Sequence, residues 1–157
     1  MNLHDISIVE TGEKDLKDIY AVQEQAFGYE KEAILTLELL EDKTARPCLS
    51  LLAYLEEEPI GHILFTRVYI EDRSNTPLAH ILAPLAVKPV FQKQGVGGKL
   101  IRSGLEKLKQ MDSKIVLYWD IWAITRDTGF HRMQEGSVFQ RPIQSHRSLP
   151  MPGCFRY

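Results

Sequence analysis

Apolar positions along the chain change period several times, and each change marks an element. Residues 5–9 read as a short first strand. From Glu13 onward, Leu16, Ile19, Tyr20, Val22 and Phe27 fall on one helical stripe, and Gly28 ends it as a glycine commonly does at a helix C-terminus. A second stripe, Ala33, Ile34, Leu37, Leu39 and Leu40, predicts a helix that starts among Glu30, Lys31 and Glu32. Residues 48–55 and 60–70 are β-rich runs, and Glu56-Glu57-Glu58-Pro59 between them reads as a hairpin turn. Residues 72–77 form another turn, feeding a strand over 78–87. Leu100, Ile101, Leu105, Leu108 and Met111 then recur at helical spacing over 99–111, with Gly104 on the same side, and 114–118 is a short fifth strand. The order β-α-α-β-β-β-α-β describes an α/β domain without internal repeats. After Phe130 neither a period of two nor one of 3.6 is found, and the tail is rich in Arg, Gln, Ser, Pro and His.

The strand-to-helix junction at residues 92–98, Gln-Lys-Gln-Gly-Val-Gly-Gly, carries the strongest chemistry. Glycines one residue apart let backbone amides converge without Cβ interference, and the positive end of a helix follows, so the segment reads as a cradle for a diphosphate. It is not a Walker P-loop, which needs glycine at 93 and Ser or Thr at 100, where this chain has Lys93 and Leu100. Nor is it a dinucleotide fingerprint, which would need a third glycine at 100.

Composition narrows the ligand. The chain has 157 residues, 44% hydrophobic and 25% charged, enough for one domain with a real core. A net charge of −2 argues against a nucleic-acid or anionic-membrane surface, so an anion must be held by a local site. Cys48 and Cys154 have no metal or redox spacing, and the five histidines are scattered, so no metal is implied. Residues 1–10 lack the regions of a signal peptide and no run is long enough to span a membrane, which predicts a cytoplasmic protein.

Gln92, Gly95 and Gly97 fit Gln/Arg-x-x-Gly-x-Gly/Ala, and with Pro84-Leu85-Ala86-Val87-Lys88-Pro89 before them the segment resembles the pyrophosphate motif and fourth strand of the GNAT family of N-acetyltransferases. Ala26-Phe27-Gly28, residues 60–65 and residues 100–105 extend the likeness to the small bacterial members of the YhbS type, over roughly the first three quarters of the chain. The resemblance implies a mixed sheet with a splayed fourth strand and acetyl-CoA as cosubstrate. It implies that Leu85, Ala86 and Val87 lend backbone to the pantetheine arm and thioester. Gln92, Lys93, Gln94, Gly95, Val96, Gly97 and Gly98 would hold the pyrophosphate. Lys93 either adds charge beside a phosphate or is a solvated loop lysine.

Residues 1–118 are family-like, and 119–157 form an atypical tail. In the relatives the fifth strand runs into Leu-Gly-His-x-x-Tyr-Tyr-x-x-x-Gly-Phe, whose tyrosine commonly protonates the leaving thiolate. Aligning Gly129-Phe130 here puts Ile124 and Thr125 in the tyrosine slots, and neither donates a proton as a phenol does. A shift of one base accounts for this. Joining the third base of each codon to the first two of the next turns Trp119-Asp120 and Trp122-Ala123 into forced glycines, and residues 119–130 then permit Gly-His-Leu-Gly-Tyr-Tyr-Pro-Arg-His-Gly-Phe. The same frame over 149–154 permits Ala-Asp-Ala-Trp-Met, which looks like the relatives' final strand. The tail is therefore expected to be translated out of frame, irregular, and to leave an open sheet edge that invites a homodimer.

By resemblance the chain is an N-acetyltransferase acting on an amine of a small molecule or protein, with a CoA-binding but catalytically impaired relative as the alternative. An interaction module without a ligand is a third class, which the glycine motif argues against. No catalytic residue is assigned. His62 and His80 are relay candidates or core histidines, and Glu30 and Glu32 touch an amine or simply begin a helix.

Overall fold

Strand alternation sorts the apolar residues onto the two faces of one sheet. The computed structural model describes residues 5–69, 78–118 and 138–139. β1 (Ile6–Glu10), β2 (Leu49–Leu55), β3 (Glu58–Val68) and β4 (Ala79–Val87) are joined antiparallel in sequence order. β5 (Ile115–Tyr118) lies parallel to β4, and β6 (Val138–Phe139) lies antiparallel to β5. The mixed sheet is the one expected, with helices α1 (Leu16–Phe27), α2 (Lys31–Glu41) and α3 (Val96–Gln110).

Leu51, Ala53, Ile63 and Phe65 pack against Val96, Leu100, Ile101 and Leu108 of α3. Leu52 and Ala86, out of phase with them, pack against Ile19 and Val22 of α1. Because successive side chains of a strand point to opposite faces, α3 covers one face and α1 the other. The α3 contact is close. A Cβ on Gly61 would sit 3.0 Å from Leu100 Cδ1 and 3.1 Å from Val96 Cγ1, and one on Gly104 would run into the Phe65 ring. Gly104 is thus where helix and sheet approach most nearly.

α1 is fastened by polar contacts as well as by its apolar face. Tyr54 of β2 donates from its hydroxyl to Asp18 Oδ2 at 2.7 Å, and a little over a turn later Gln23 Nε2 donates to His62 Nδ1 of β3 at 2.7 Å. The helix therefore crosses the sheet from β2 through β3 toward β4. Gly28, at φ 77°, ends it and starts the corner into α2.

Three element boundaries differ from the sequence reading. The hairpin turn is Glu56-Glu57 alone, with Glu56 at φ 56°, because Pro59 pairs with Tyr54 beyond a register shift at Ala53/Tyr54. α3 begins at Val96 rather than 99, since Gly95 already supplies the left-handed cap. The expected open edge beside β5 is covered at Val116 and Leu117, which pair with Phe139 and Val138. Strand-forming residues meet an edge there whose backbone groups need partners. The remainder of the tail, with Ile124 and Thr125, lies outside the described residues.

Candidate functional site

β4 stays paired with β3 as far as Val87, across a register shift where Ala83 and Pro84 occur. Among the described residues only Ala79–Leu82 pair with β5. Beyond it, among the described residues, no strand pairs the outer edge of residues 83–87. Lys88 N donates to Ile60 O at 3.0 Å, so Lys88 faces β3, and strand alternation turns the N–H and C=O of Leu85 and Val87 outward while Ala86 faces β3. The sequence reading named these three residues for their backbone. The structure distinguishes Leu85 and Val87, which present theirs at the open edge, from Ala86, whose methyl is buried under α1.

The turn that follows brings a helix terminus to this edge. A 3-10 turn over Pro89–Phe91 leads to Gln92, and Gln92 Nε2 donates back to Val87 O at 2.9 Å. Gln94 Nε2 donates to Val90 O at 2.7 Å. Both glutamines brace the turn internally. Lys93 and Gly95 take left-handed φ of 59° and 86°. A left-handed residue directly before a right-handed helix makes successive N–H groups converge, which is an anion-binding concavity. Lys99 N is the first amide to bond back, to Gly95 O at 3.0 Å, so the N–H groups of Val96, Gly97 and Gly98 have no acceptor within the helix. They carry the positive end of the α3 dipole. Lys93 is exposed at the rim, whereas Lys88 is buried and ion-paired with Glu58 at 2.9 Å.

The two strand histidines are core residues. His80 Nε2 donates to the Pro47 carbonyl at 2.9 Å, which leaves Nδ1 to accept from Ser113 Oγ at 2.8 Å. Burial lowers its pKa, and the nearby Arg67 adds to this against the opposing Pro47 bond. His62 is fully buried. With Nδ1 accepting from Gln23, its Nε2 donates to Ser50 Oγ at 2.9 Å, and Ser50 Oγ also accepts from Thr11 Oγ1 at 2.6 Å. Burial depresses its pKa to about 3, so it is neutral at physiological pH. Both nitrogens of each ring are engaged, and neither histidine offers a free relay. The chain Thr11-Ser50-His62-Gln23 was missed in the sequence; its signal is a glutamine, Gln23, directly beside the apolar stripe of α1. Gln23 Oε1 has no partner among the described residues.

Glu30 and Glu32 stand at the α1–α2 corner, on the α1 face of the sheet. Tyr29 donates from its hydroxyl to Glu32 Oε1 at 2.8 Å, and partial burial together with a hydrogen bond to Glu30 holds the Tyr20 phenol above its ordinary pKa. Among the described residues no group of His, Cys, Asp and Glu is placed to hold a metal. No helix is long and apolar enough to cross a membrane.

The N-terminus of α3 thus follows directly on the stretch of β4 whose outer edge no described strand pairs. The acetyltransferase (GNAT) family model matches residues 14–132, and the chain belongs to that family. It is 50% identical over 116 residues to the uncharacterized N-acetyltransferase YjhQ of Escherichia coli K12, covering 74% of this chain and 64% of that protein. The chain thus spans a little under two thirds of that relative's length. Its fold is similar to a GNAT acetyltransferase from Brucella melitensis in complex with acetyl-CoA, with TM-score 0.70, 28% identity and coverage of 88% of this chain and 97% of that one. It is also similar to YhbS of Escherichia coli in complex with CoA, with TM-score 0.70, 26% identity and coverage of 81% and 69%.

Proposed function

We propose that the protein is an acetyl-CoA-dependent N-acetyltransferase. The observation that carries this is the placing of three free helix N-terminal amides, at Val96, Gly97 and Gly98, beside the outward backbone of Leu85 and Val87. The amides hold the pyrophosphate, with Lys93 adding charge at the rim, and the β4 edge hydrogen-bonds the pantetheine amides. An outward N–H of β4 polarises the thioester carbonyl, stabilising the oxyanion that forms when an amine attacks. Gln92, tied to Val87, keeps turn and strand in register, so its contribution is orientation of the two reactants. The described residues supply binding and polarisation. Proton transfer from the amine passes to water.

A second reading is favoured by Ile124 and Thr125: a chain that binds CoA and transfers acetyl slowly, for want of a phenol to protonate the thiolate. Calorimetric titration with CoA, run beside thiol release from acetyl-CoA over a panel of primary amines, separates the two. Binding with release supports the first reading and binding without release the second, whereas absence of binding defeats both.

A further inference from the structure

The first four residues of β3 hold both ends of the turn that leads from β4 to α3. At the entrance Lys88 is fastened three times. Its N–H donates to Ile60 O at 3.0 Å, its carbonyl accepts from Phe91 N at 2.9 Å, and its ammonium donates to Glu58 Oε1 at 2.9 Å. At the exit Gly61 lies so close to α3 that a Cβ there would stand 3.0 Å from Leu100 Cδ1 and 3.1 Å from Val96 Cγ1, and also 3.3 Å from Ala86 O. In register Gly61 stands opposite Val87, the last residue of β4. One short stretch of strand therefore touches the end of β4, the start of the turn and the first turn of α3.

The burial of Lys88 asks for a reason. Its side chain is 10% exposed and that of Glu58 55%, so a cation has left water for a partner that stays half in it. A half-solvated carboxylate returns only part of the lost hydration, and an apolar side chain of similar volume packs in such a place at lower cost. What the pair supplies is geometry. It ties the tip of the β2–β3 hairpin to the residue where β4 ends and the turn begins. Glu58 stands there because the register shift at Ala53/Tyr54 sets it opposite Leu55, directly after the Glu56-Glu57 turn.

We infer that Glu58 and Gly61 are positioning residues for the CoA diphosphate. Acting through Lys88 and through Val96, they fix the separation and angle between the outer edge of β4 and the N–H groups of Val96, Gly97 and Gly98. The assignment rests on the acetyl-transfer reading. Neither residue needs to touch the ligand. The sign of the effect separates this role from plain electrostatics: a carboxylate repels a nearby anion, so charge alone predicts that CoA tightens when Glu58 is neutralised. Loss of the anchor predicts that it weakens.

The test is titration of the full chain with CoA, read by calorimetry for affinity and by amide NMR for place. Glu58→Gln is expected to weaken CoA about three- to fivefold, and Gly61→Ala, which pushes on the start of α3, about five- to tenfold. In both ligand-free variants the amide resonances of Val96, Gly97 and Gly98 are expected to move while those of Ile19 and Val22 on α1 stay. Lys88→Met is expected to weaken CoA at least as much as Glu58→Gln, and the double variant no more than Lys88→Met, because both remove one tie. Glu57→Gln takes the same charge from the next residue and is expected to leave CoA affinity unchanged. Equal or tighter CoA in Glu58→Gln, additive losses in the double variant, or resonance changes spread equally over α1 would overturn the assignment. Should Gly61→Ala fail to fold, Glu58→Gln carries the test. A parent chain that binds no CoA would remove the acetyl-transfer reading and this one with it, whereas a parent that binds CoA beside indifferent variants overturns the positioning role alone.

Discussion

The two helical faces of the sheet differ in charge and in how they are attached. Residues 88–114, holding the turn and α3, carry seven bases against Glu106 and Asp112, whereas residues 24–42, at the α1–α2 corner, carry six carboxylates against Lys31. A chain whose net charge is only −2 therefore carries its charge unevenly, basic over residues 88–114 and acidic over residues 24–42. The attachment differs in parallel. Both helices have apolar seats, α3 at Gly61 and Gly104 and α1 at Ile19 and Val22, but only α1 is also tied through a buried histidine, by the bond of Gln23 to His62. Apolar seating is indifferent to pH; a seat made through a buried histidine is not.

The largest expected effect concerns turnover and leaves the binding contrast intact. Re-encoding the gene from codon 119 in the shifted frame permits a tyrosine pair over residues 123–125, and a positioned general acid contributes on the order of 10²–10⁴ in rate. Acetyl transfer is expected to rise by about that range with CoA affinity unchanged. The DNA itself is a prior check, because a stop codon early in the shifted frame removes the idea.

Acid should loosen the α1 face selectively. The folded pKa of His62 is about 3, below the ordinary 6.5, so the unfolded chain binds the extra proton between those values. Stability from this group is whole above pH 6.5 and falls as pH drops toward 3, with a limiting slope of about 1.4 kcal/mol per pH unit. Denaturant melts at pH 7, 5 and 4 should show this decline, reduced in His62→Gln relative to the parent. An equal slope in that variant would assign the acid sensitivity elsewhere.

On the other face the sensitivity is steric. Gly104→Val drives a branched side chain into the Phe65 ring and is expected to destabilise by about 1–3 kcal/mol, with no change in slope against pH. Gly95→Val places a β-branched residue at φ 86° and is expected to weaken CoA by roughly tenfold, from strain of about 1–2 kcal/mol at the cradle, as read by calorimetric titration with CoA. Unchanged CoA affinity in Gly95→Val would place the diphosphate contact elsewhere.

The basic face was the more legible in the sequence because its signals are local. Gly95 at a helix start, and Leu100, Ile101, Leu105 and Leu108 at helical spacing, fix a turn and a face within twenty residues, and the α/β order follows from similar periodicities. The acidic face depends on contacts between distant segments: Gln23 with His62 spans 39 residues, and so does Thr11 with Ser50. No period announces such a pair, and His62 in the sequence is one residue of an apolar run. That β4 runs on to Val87 while its described pairing with β5 stops at Leu82 is a relation between two separate segments, which no single segment discloses. Glu56-Glu57 as a two-residue turn was obscured by Pro59, which normally argues against a strand interior and here lies one residue from the start of β3.

The smallest expected effect probes the far end of α1. Tyr54 donates to Asp18 at 2.7 Å, and its phenol pKa is raised, first by burial and then by that carboxylate. Tyr54→Phe removes the bond and keeps the ring, so the loss is about 1 kcal/mol for a half-buried, charge-assisted contact. Denaturant melts at pH 7 should show that loss while CoA affinity holds, because α1 and the turn at residues 92–98 attach to opposite faces of the sheet. A fall in CoA affinity along with stability would mean that the two faces are coupled through the strands between them, and an unchanged stability would mean that Gln23 and His62 alone fasten α1.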